Sequence, residues 1–178
     1  MKRSLRKWYT RATPDQRARG ITWYRDLRAW LCEQGDLTVA SHVFAALSPR
    51  IGLEQNKRGC YAMMHAARTG STQPMCAGTE ANRAKAWRIA TTGDLGHLRG
   101  PKVTAFADNL ANPESEHITV DAWAIRAYED DREMVSYTPT PRQYEQIKQA
   151  YIAGAEQVGL HPYEFQAVVW NAIREWSE

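Results

Sequence analysis

Apolar residues recur at helical spacing along most of the chain, and residues that begin or end helices separate the apolar runs. The first clear start is Thr13-Pro14-Asp15, which combines a capping hydroxyl, a proline at the first helical position and an acid in the first turn. The pattern predicts a helix that ends near Gly35, since apolar positions follow at helical spacing: Ile21, Tyr24, Leu27 and Leu31.

The same reasoning predicts further helices over residues 36–47, 53–68, 79–91, 101–111, 121–128, 141–159 and 162–176. Residues 69–78 and 112–115 are small, polar and turn-prone, and we expect loops there. No segment has a convincing strand pattern. The sequence therefore predicts an all-α fold of roughly eight to ten helices, as a single compact multi-helix domain over residues 1–178.

Composition narrows the class of protein. The chain has 178 residues, 43% of them hydrophobic and 24% charged, which is ordinary for a soluble globular protein with a substantial core. Its three cysteines include no CxxC pair, which argues against a disulfide framework or a zinc site and rules out a four-cysteine iron–sulfur cluster. No two histidines are four residues apart, as a helical metal site would require. We expect no metal and no cofactor.

The apolar runs are all too short for a membrane helix, which needs about 20 residues. The basic N-terminus also lacks the apolar segment of a signal peptide. These features predict a cytoplasmic protein without a membrane partner. Nothing in the sequence predicts a protein partner.

Positive charge is concentrated near the N-terminus. The net charge is only +3, but residues 2–28 contain nine Lys or Arg against two Asp. Residues 1–12 form a basic N-terminal arm in this interpretation, and a basic face suits a polyanion such as DNA. A solvated helix with a loose tail explains the same residues equally well.

Residues 98–106 and 118–121 carry the candidate chemistry. The first stretch, Leu-Arg-Gly-Pro-Lys-Val-Thr-Ala-Phe, places a turn glycine at Gly100 and a lysine at Lys102 before an apolar helix. The second ends on Asp121, 19 residues after that lysine, where the first-turn N–H groups of the next helix would hold its carboxylate. A lysine amine can attack a sugar to form a Schiff base, and a carboxylate can stabilise a sugar cation.

This arrangement resembles the helix-hairpin-helix DNA glycosylase superfamily, which includes endonuclease III and the oxoguanine glycosylases. Gly100-x-Lys102-Val103 and Val120-Asp121 match its lysine-bearing branch, and residues 95–128 would be the hairpin and catalytic segment. Residues 46–50 (Ala-Leu-Ser-Pro-Arg) and 55–57 (Gln-Asn-Lys) resemble its leucine–serine motif. The two blocks cover roughly a third of the chain. The last two helices, which include Gln166-Ala167-Val168-Val169-Trp170, instead resemble short uncharacterised proteins of tailed bacteriophages.

The resemblance implies a role for each matched residue. Lys102 would be the nucleophile, and Asp121 would activate it and stabilise the sugar cation. Arg50 would enter the gap left by the flipped base. The residues around the hairpin would contact DNA: His97, Arg99, Gly100 and Thr104. The hairpin departs from the family pattern, with Leu98 in place of its first glycine and Pro101 after its second.

Trp123 follows closely after Asp121 and has two interpretations. It could line a base pocket, because flipped bases stack on aromatic side chains, or it could belong to the core. In the related family this position often holds a histidine, so the resemblance does not decide between them.

The sequence thus predicts a DNA glycosylase acting on double-stranded DNA, bifunctional with AP-lyase activity. One alternative is an enzyme with the glycosylase fold that hypermodifies phage DNA bases, and another is a non-catalytic DNA-binding protein with this fold. A phage-encoded chain would work in the host cytoplasm. The target base is not specified by any motif.

Overall fold

The computed structural model describes residues 1–135 and 137–175, and within these ranges all regular structure is helical, as predicted. A single 3-10 turn, Leu95–His97, accompanies nine α-helices in the described ranges. The helices are α1 (Arg3–Arg11), α2 (Pro14–Cys32), α3 (Leu37–Leu47), α4 (Leu53–Thr69), α5 (Glu80–Thr92), α6 (Pro101–Ala111), α7 (Ala122–Glu129), α8 (Pro141–Val158) and α9 (Pro162–Arg174). The predicted end of the last helix, at Trp176, lies outside the described residues.

Several helices begin and end at the residues that the sequence predicts. Asp36 caps α3, where its carboxylate accepts a hydrogen bond from the Val39 N–H at 2.9 Å. Thr140 and Gln143 form a reciprocal capping box at the start of α8. Gly159 ends α8 in the left-handed conformation, with φ +69°. These ends follow from local side-chain chemistry, so the sequence alone locates them.

The chain divides into two compact units, and the division falls within α2. The terminal unit comprises Met1–Asp26 and Asn112–Glu178, and the central unit comprises Leu27–Ala111. The expectation of one domain over the whole chain stays a prediction. Each unit is described by itself below.

Helix α3 forms the core of the central unit and packs against α4, α5 and α6. Its Phe44 ring lies 6.2 Å from the ring of Phe106 on α6, measured between centroids. On α4, Asn56 donates a hydrogen bond to the Phe44 carbonyl and Cys60 donates one to the Ala40 carbonyl. The later residue of α4, Cys60, contacts the earlier residue of α3, Ala40, so the two helices are antiparallel.

In the terminal unit, α9 packs against α1, α7 and α8. The segment predicted as a basic arm contains α1, and Leu5 and Trp8 of this helix are buried. The arm residues are thus part of the unit's core as well as its surface. The largest buried side chains with which they share this core are Ile118, Val120, Ile125, Ile147, Tyr151, Phe165, Val169 and Ile173.

Gly20 marks a close approach of α2 to α9 within the terminal unit. A Cβ at this position would lie 2.6 Å from the backbone nitrogen of Val168 and 2.7 Å from its Cα. Backbone atoms cannot rotate away, so Gly20→Ala is expected to lower the free energy of unfolding by about 1–3 kcal/mol in urea denaturation.

The matched control is Ala18→Gly, at an exposed position of the same helix. Glycine is less favourable than alanine in a helix by about 1 kcal/mol, so Ala18→Gly should lower the free energy of unfolding by that amount. Without a steric clash, Gly20→Ala should raise it by the same amount. If Gly20→Ala stabilised the protein by that amount, the close approach would be refuted.

Candidate functional site

The predicted hairpin turn lies in the central unit, immediately before α6. Gly100 has φ +108°, a backbone conformation that favours glycine, and no atom lies within 4 Å of where its Cβ would be. The backbone angle, rather than lack of space, therefore requires the glycine. Pro101 follows as the first residue of α6, a position where proline is common.

The first turn of α6 offers two open amide donors. Pro101 has no N–H, and the Thr104 N–H donates to the Gly100 carbonyl at 3.1 Å. The N–H groups of Lys102 and Val103 have no hydrogen-bond partner within residues 1–135 and 137–175. An anion at a helix N-terminus is attracted by such amides and by the helix dipole. One phosphate oxygen or two could therefore bind here.

Lys102 is the second residue of α6 and its side chain is exposed. Its ammonium makes no ion pair or hydrogen bond with any residue that the structure describes. Thr104, two residues further along α6, differs in this respect, because its hydroxyl donates to the Gly100 carbonyl at 2.9 Å. A phosphate contact from the Thr104 O–H would have to break that bond, whereas Lys102 is available without any rearrangement.

His97 and Arg99 precede the turn, and their surroundings differ. The Nε2 of His97 lies 3.6 Å from a carboxylate oxygen of Asp94, which repels a phosphate. Arg99 is exposed and uses its Nε in a 3.3 Å hydrogen bond to the Gly96 carbonyl. Its guanidinium retains further N–H donors. Arg99 is therefore the better placed of the two to contact DNA.

Arg50 lies in the central unit, in the turn between α3 and α4, and its side chain is exposed. It has φ +66° and is one of two non-glycine residues with positive φ in the described ranges. The turn is closed by a 3.3 Å hydrogen bond from the Ile51 N–H to the Ser48 carbonyl. The left-handed backbone conformation is energetically unfavourable for arginine, and such backbone strain is often found at functional positions.

Replacing Arg50 by glycine is expected to raise the free energy of unfolding by about 0.5–1 kcal/mol, because glycine adopts positive φ without steric cost. Arg50→Ala is the matched control, since it removes the same side chain but keeps the left-handed strain. Urea denaturation compares the three proteins. Equal stability of the Gly and Ala variants would show that the turn is unstrained.

Asp121 lies in the terminal unit and caps α7 as predicted. Its Oδ1 accepts a hydrogen bond from the Ala124 N–H at 2.8 Å, and its own N–H donates to the Thr119 carbonyl at 2.8 Å. The side chain is half-buried. The position at a helix N-terminus stabilises a negative charge. The carboxylate is therefore held in one orientation by its own helix.

Trp123 also lies in the terminal unit, on α7. It is half-buried and packs against the unit's core, and the guanidinium carbon of Arg126 lies 4.7 Å from its ring centroid. A stacked base would have to compete with Arg126 for that face of the ring. The contacts favour the packing role over the base pocket.

The structure thus distributes the predicted site residues over the two units. The central unit holds Lys102 and the predicted DNA contacts, which are Arg50, His97, Arg99, Gly100 and Thr104. The terminal unit holds Asp121 and Trp123.

The basic N-terminal region is largely engaged within the terminal unit. Lys7 forms an ion pair with Asp130 at 2.7 Å, and Arg19 forms one with Glu175 at 2.6 Å. The Glu175 partner raises the pKa of Arg19. By contrast, Arg3 and Arg6 are exposed, and no acidic residue in the described part of the chain pairs with them. These two are the members of the predicted basic face best able to contact a polyanion.

Cysteine chemistry is disfavoured by the environments of two thiols in the central unit. Burial raises the pKa of Cys60 far above its usual value, and the nearby Cys76 adds to the effect. Burial also raises the pKa of Cys76, with Arg83 opposing it. Neutral thiols are poor nucleophiles, so neither residue is a candidate nucleophile.

Sequence reasoning did not identify two buried polar side chains that contact the Asp121 segment. Gln166 on α9 bonds to the backbone of Thr119, and Tyr151 on α8 bonds to that of Ala124. Each is a polar group inside an otherwise apolar helix face, and this is the pattern that could have revealed them.

None of the helices within residues 1–135 and 137–175 is long and apolar enough to cross a membrane. The same residues contain no group of three His, Cys, Asp or Glu side chains arranged to hold a metal ion.

Comparison with known proteins yields a family but no characterised relative. Residues 1–177 match the sequence profile of a protein family, which is described as a family of unknown function. No curated protein and no solved structure matches the chain significantly.

Proposed function

The chain belongs to DUF7178, a family of unknown function, and we propose that it is a DNA glycosylase with AP-lyase activity. It flips a damaged or modified base out of duplex DNA and excises it. The observation that carries the proposal is the position of Lys102. This exposed lysine lies in the first turn of a helix that follows a left-handed glycine, beside two open amides. A nucleophile and a phosphate-binding group are thereby adjacent.

In the proposed reaction, the free amine of Lys102 attacks the anomeric carbon of the sugar. The bond between this carbon and the base breaks, and the base leaves. Asp121 stabilises the positive charge that develops on the sugar, and the departing base takes up a proton from the attacking amine. The C1′–O4′ bond of the sugar then opens, O4′ takes up the second amine proton, and the nitrogen forms a Schiff base with C1′. This Schiff base permits cleavage of the strand.

The proposed DNA contacts come from charged side chains and from the helix terminus. The Lys102 and Val103 amides hold a phosphate, Arg99 adds a charged donor, and Arg50 fills the gap left by the flipped base. Exposed arginines of α1 add affinity that is independent of sequence and falls steeply with salt.

Pro101 is the observation that supports other candidates. Its missing N–H removes one amide donor from the proposed phosphate-binding turn, so the turn departs from the pattern of the glycosylases. This departure is compatible with an enzyme of the glycosylase fold that hypermodifies phage DNA bases. The same weakening suits a non-catalytic DNA-binding protein with this fold.

The test is incubation of the protein with duplexes that each carry one uracil, oxoguanine, alkylated purine or hypermodified pyrimidine. A glycosylase releases the free base and leaves an abasic strand. A modifying enzyme changes the base in place, provided that its donor substrate is supplied. Binding with a steep salt dependence, without any product across the panel, would replace the proposal by the non-catalytic alternative.

A further inference from the structure

Gln166 makes two hydrogen bonds to a single residue near Asp121. It lies on α9 of the terminal unit and is only 6% exposed. Its Oε1 accepts from the Thr119 N–H at 2.8 Å, and its Nε2 donates to the Thr119 carbonyl. Exchanging the amide oxygen and nitrogen would oppose donor to donor and acceptor to acceptor. The pair of bonds therefore defines both the position and the orientation of the Thr119 backbone.

The Thr119 backbone, which Gln166 fixes, is linked by hydrogen bonds to Asp121 and its carboxylate. The Thr119 carbonyl that accepts from Gln166 also accepts from the Asp121 N–H, at 2.8 Å. Asp121 then bonds through its carboxylate to the Ala124 N–H. Any shift of Thr119 would therefore move the residue that starts α7.

A second buried group holds the other side of Asp121. Tyr151 on α8 is fully buried, and its hydroxyl donates to the Ala124 carbonyl at 3.2 Å. Burial, together with the charge of Asp121, raises the pKa of Tyr151 well above its usual value. The phenol therefore remains protonated and remains a donor.

A buried amide on α9 requires an explanation other than packing. Its neighbours Phe165 and Val169 are fully buried and apolar. An amide buried among such groups costs free energy unless both of its polar atoms are bonded, whereas an apolar residue of similar volume would avoid that cost. What the amide provides is directional bonding to Thr119.

We propose that Gln166 is a positioning residue for Asp121, which orients the carboxylate by fixing the Thr119 backbone. The catalytic part of this inference rests on the proposed function, and the positioning itself does not. Tyr151 supports the same carboxylate through Ala124. Groups that orient a reacting side chain typically act in this indirect way.

The test compares Gln166→Met with Asn171→Leu. Methionine retains volume and loses both bonds to Thr119. Asn171 is a matched control, because it lies on the same helix, is 5% exposed and donates to the Gln16 carbonyl at 3.0 Å, away from Asp121. Gln166→Met is expected to lower the single-turnover rate of base release by about 10–100-fold with unchanged DNA affinity, as a small misplacement does. Asn171→Leu is expected to keep the wild-type rate.

Carbon-13 NMR of the Asp121 carboxyl group and the amide resonance of Ala124 provide a readout that does not depend on activity. Both resonances are expected to shift in Gln166→Met and to stay in place in Asn171→Leu. If Gln166→Met does not fold, Gln166→Glu replaces it. Its carboxylate still accepts from the Thr119 N–H but cannot donate to the Thr119 carbonyl, so it is expected to shift the same two resonances.

The outcomes separate the two proposals. Shifted resonances in a protein whose wild type releases no base would overturn the glycosylase function and retain the positioning. Unchanged Asp121 and Ala124 resonances would overturn the positioning, as would equal losses of rate in Gln166→Met and Asn171→Leu.

Discussion

Replacing Asp121 by asparagine is expected to slow base release by about 100–1,000-fold, the usual cost of removing one group that stabilises a charged transition state. Asparagine caps a helix about as well as aspartate, so the bond to the Ala124 N–H is kept. The variant therefore removes the negative charge and little else. Single-turnover release of the base measures the effect, and urea denaturation should show stability within about 0.5 kcal/mol of the wild type.

Asp36→Asn is the matched control for this experiment. Asp36 also caps its helix through a carboxylate, with a 2.9 Å bond from the Val39 N–H, but it lies outside the proposed machinery. It is expected to keep the wild-type rate. If Asp121→Asn also kept the wild-type rate, Asp121 would be an N-cap only and would have no part in the chemistry.

Replacing Lys102 by glutamine is expected to eliminate the covalent intermediate. Glutamine is close in length and lacks the nucleophilic amine, so borohydride should trap no protein–DNA adduct. Base release through the covalent route should fall by at least about 1,000-fold, because the nucleophile and its partners act as a unit. DNA affinity should change little, since only one charge among several contacts is lost.

Lys85→Gln controls for the loss of a surface lysine in the same unit. Lys85 is exposed on α5 and is not assigned a role. Trapping is expected to be unaffected in this variant. If Lys102→Gln trapped as much DNA as Lys85→Gln, another amine would have to be the nucleophile.

Most helix boundaries could be predicted because local chemistry determines them. Asp36, Thr140 and Asp121 cap helices through their own side chains, and each does so within three residues. Helix α1 is different, since its first residue is preceded by Lys2, which makes no side-chain cap. Its burial of Leu5 and Trp8 depends on α7 and α9, which are remote in sequence. A local pattern could therefore not distinguish this helix from a loose basic tail.

The candidate site was only partly predictable for the same reason. The turn at Gly100 and the cap at Asp121 follow from neighbouring residues, and the structure has both. The partners of Thr104 and His97 weaken their predicted DNA contacts, and side-chain orientation decides both. The sequence pattern could mark Gln166 as a buried polar residue, but its partner Thr119 is 47 positions away, so no spacing rule could have identified the contact.

The distribution of exposed positive charge could also not be predicted from the sequence alone. The nine basic residues of positions 2–28 suggest one continuous basic face. Lys7 and Arg19 instead form ion pairs with Asp130 and Glu175, both far along the chain. The unpaired part of the basic face in the terminal unit is therefore smaller than the sequence suggests, and it includes Arg3 and Arg6.

The most direct test of the central claim is to identify the residue that becomes bonded to DNA. Borohydride reduction of the wild-type reaction, followed by proteolysis and mass spectrometry of the cross-linked peptide, locates the attachment point. The proposed mechanism predicts a reduced sugar on the Nζ of Lys102. Attachment to a different residue, or release of base with no adduct at all, would contradict it.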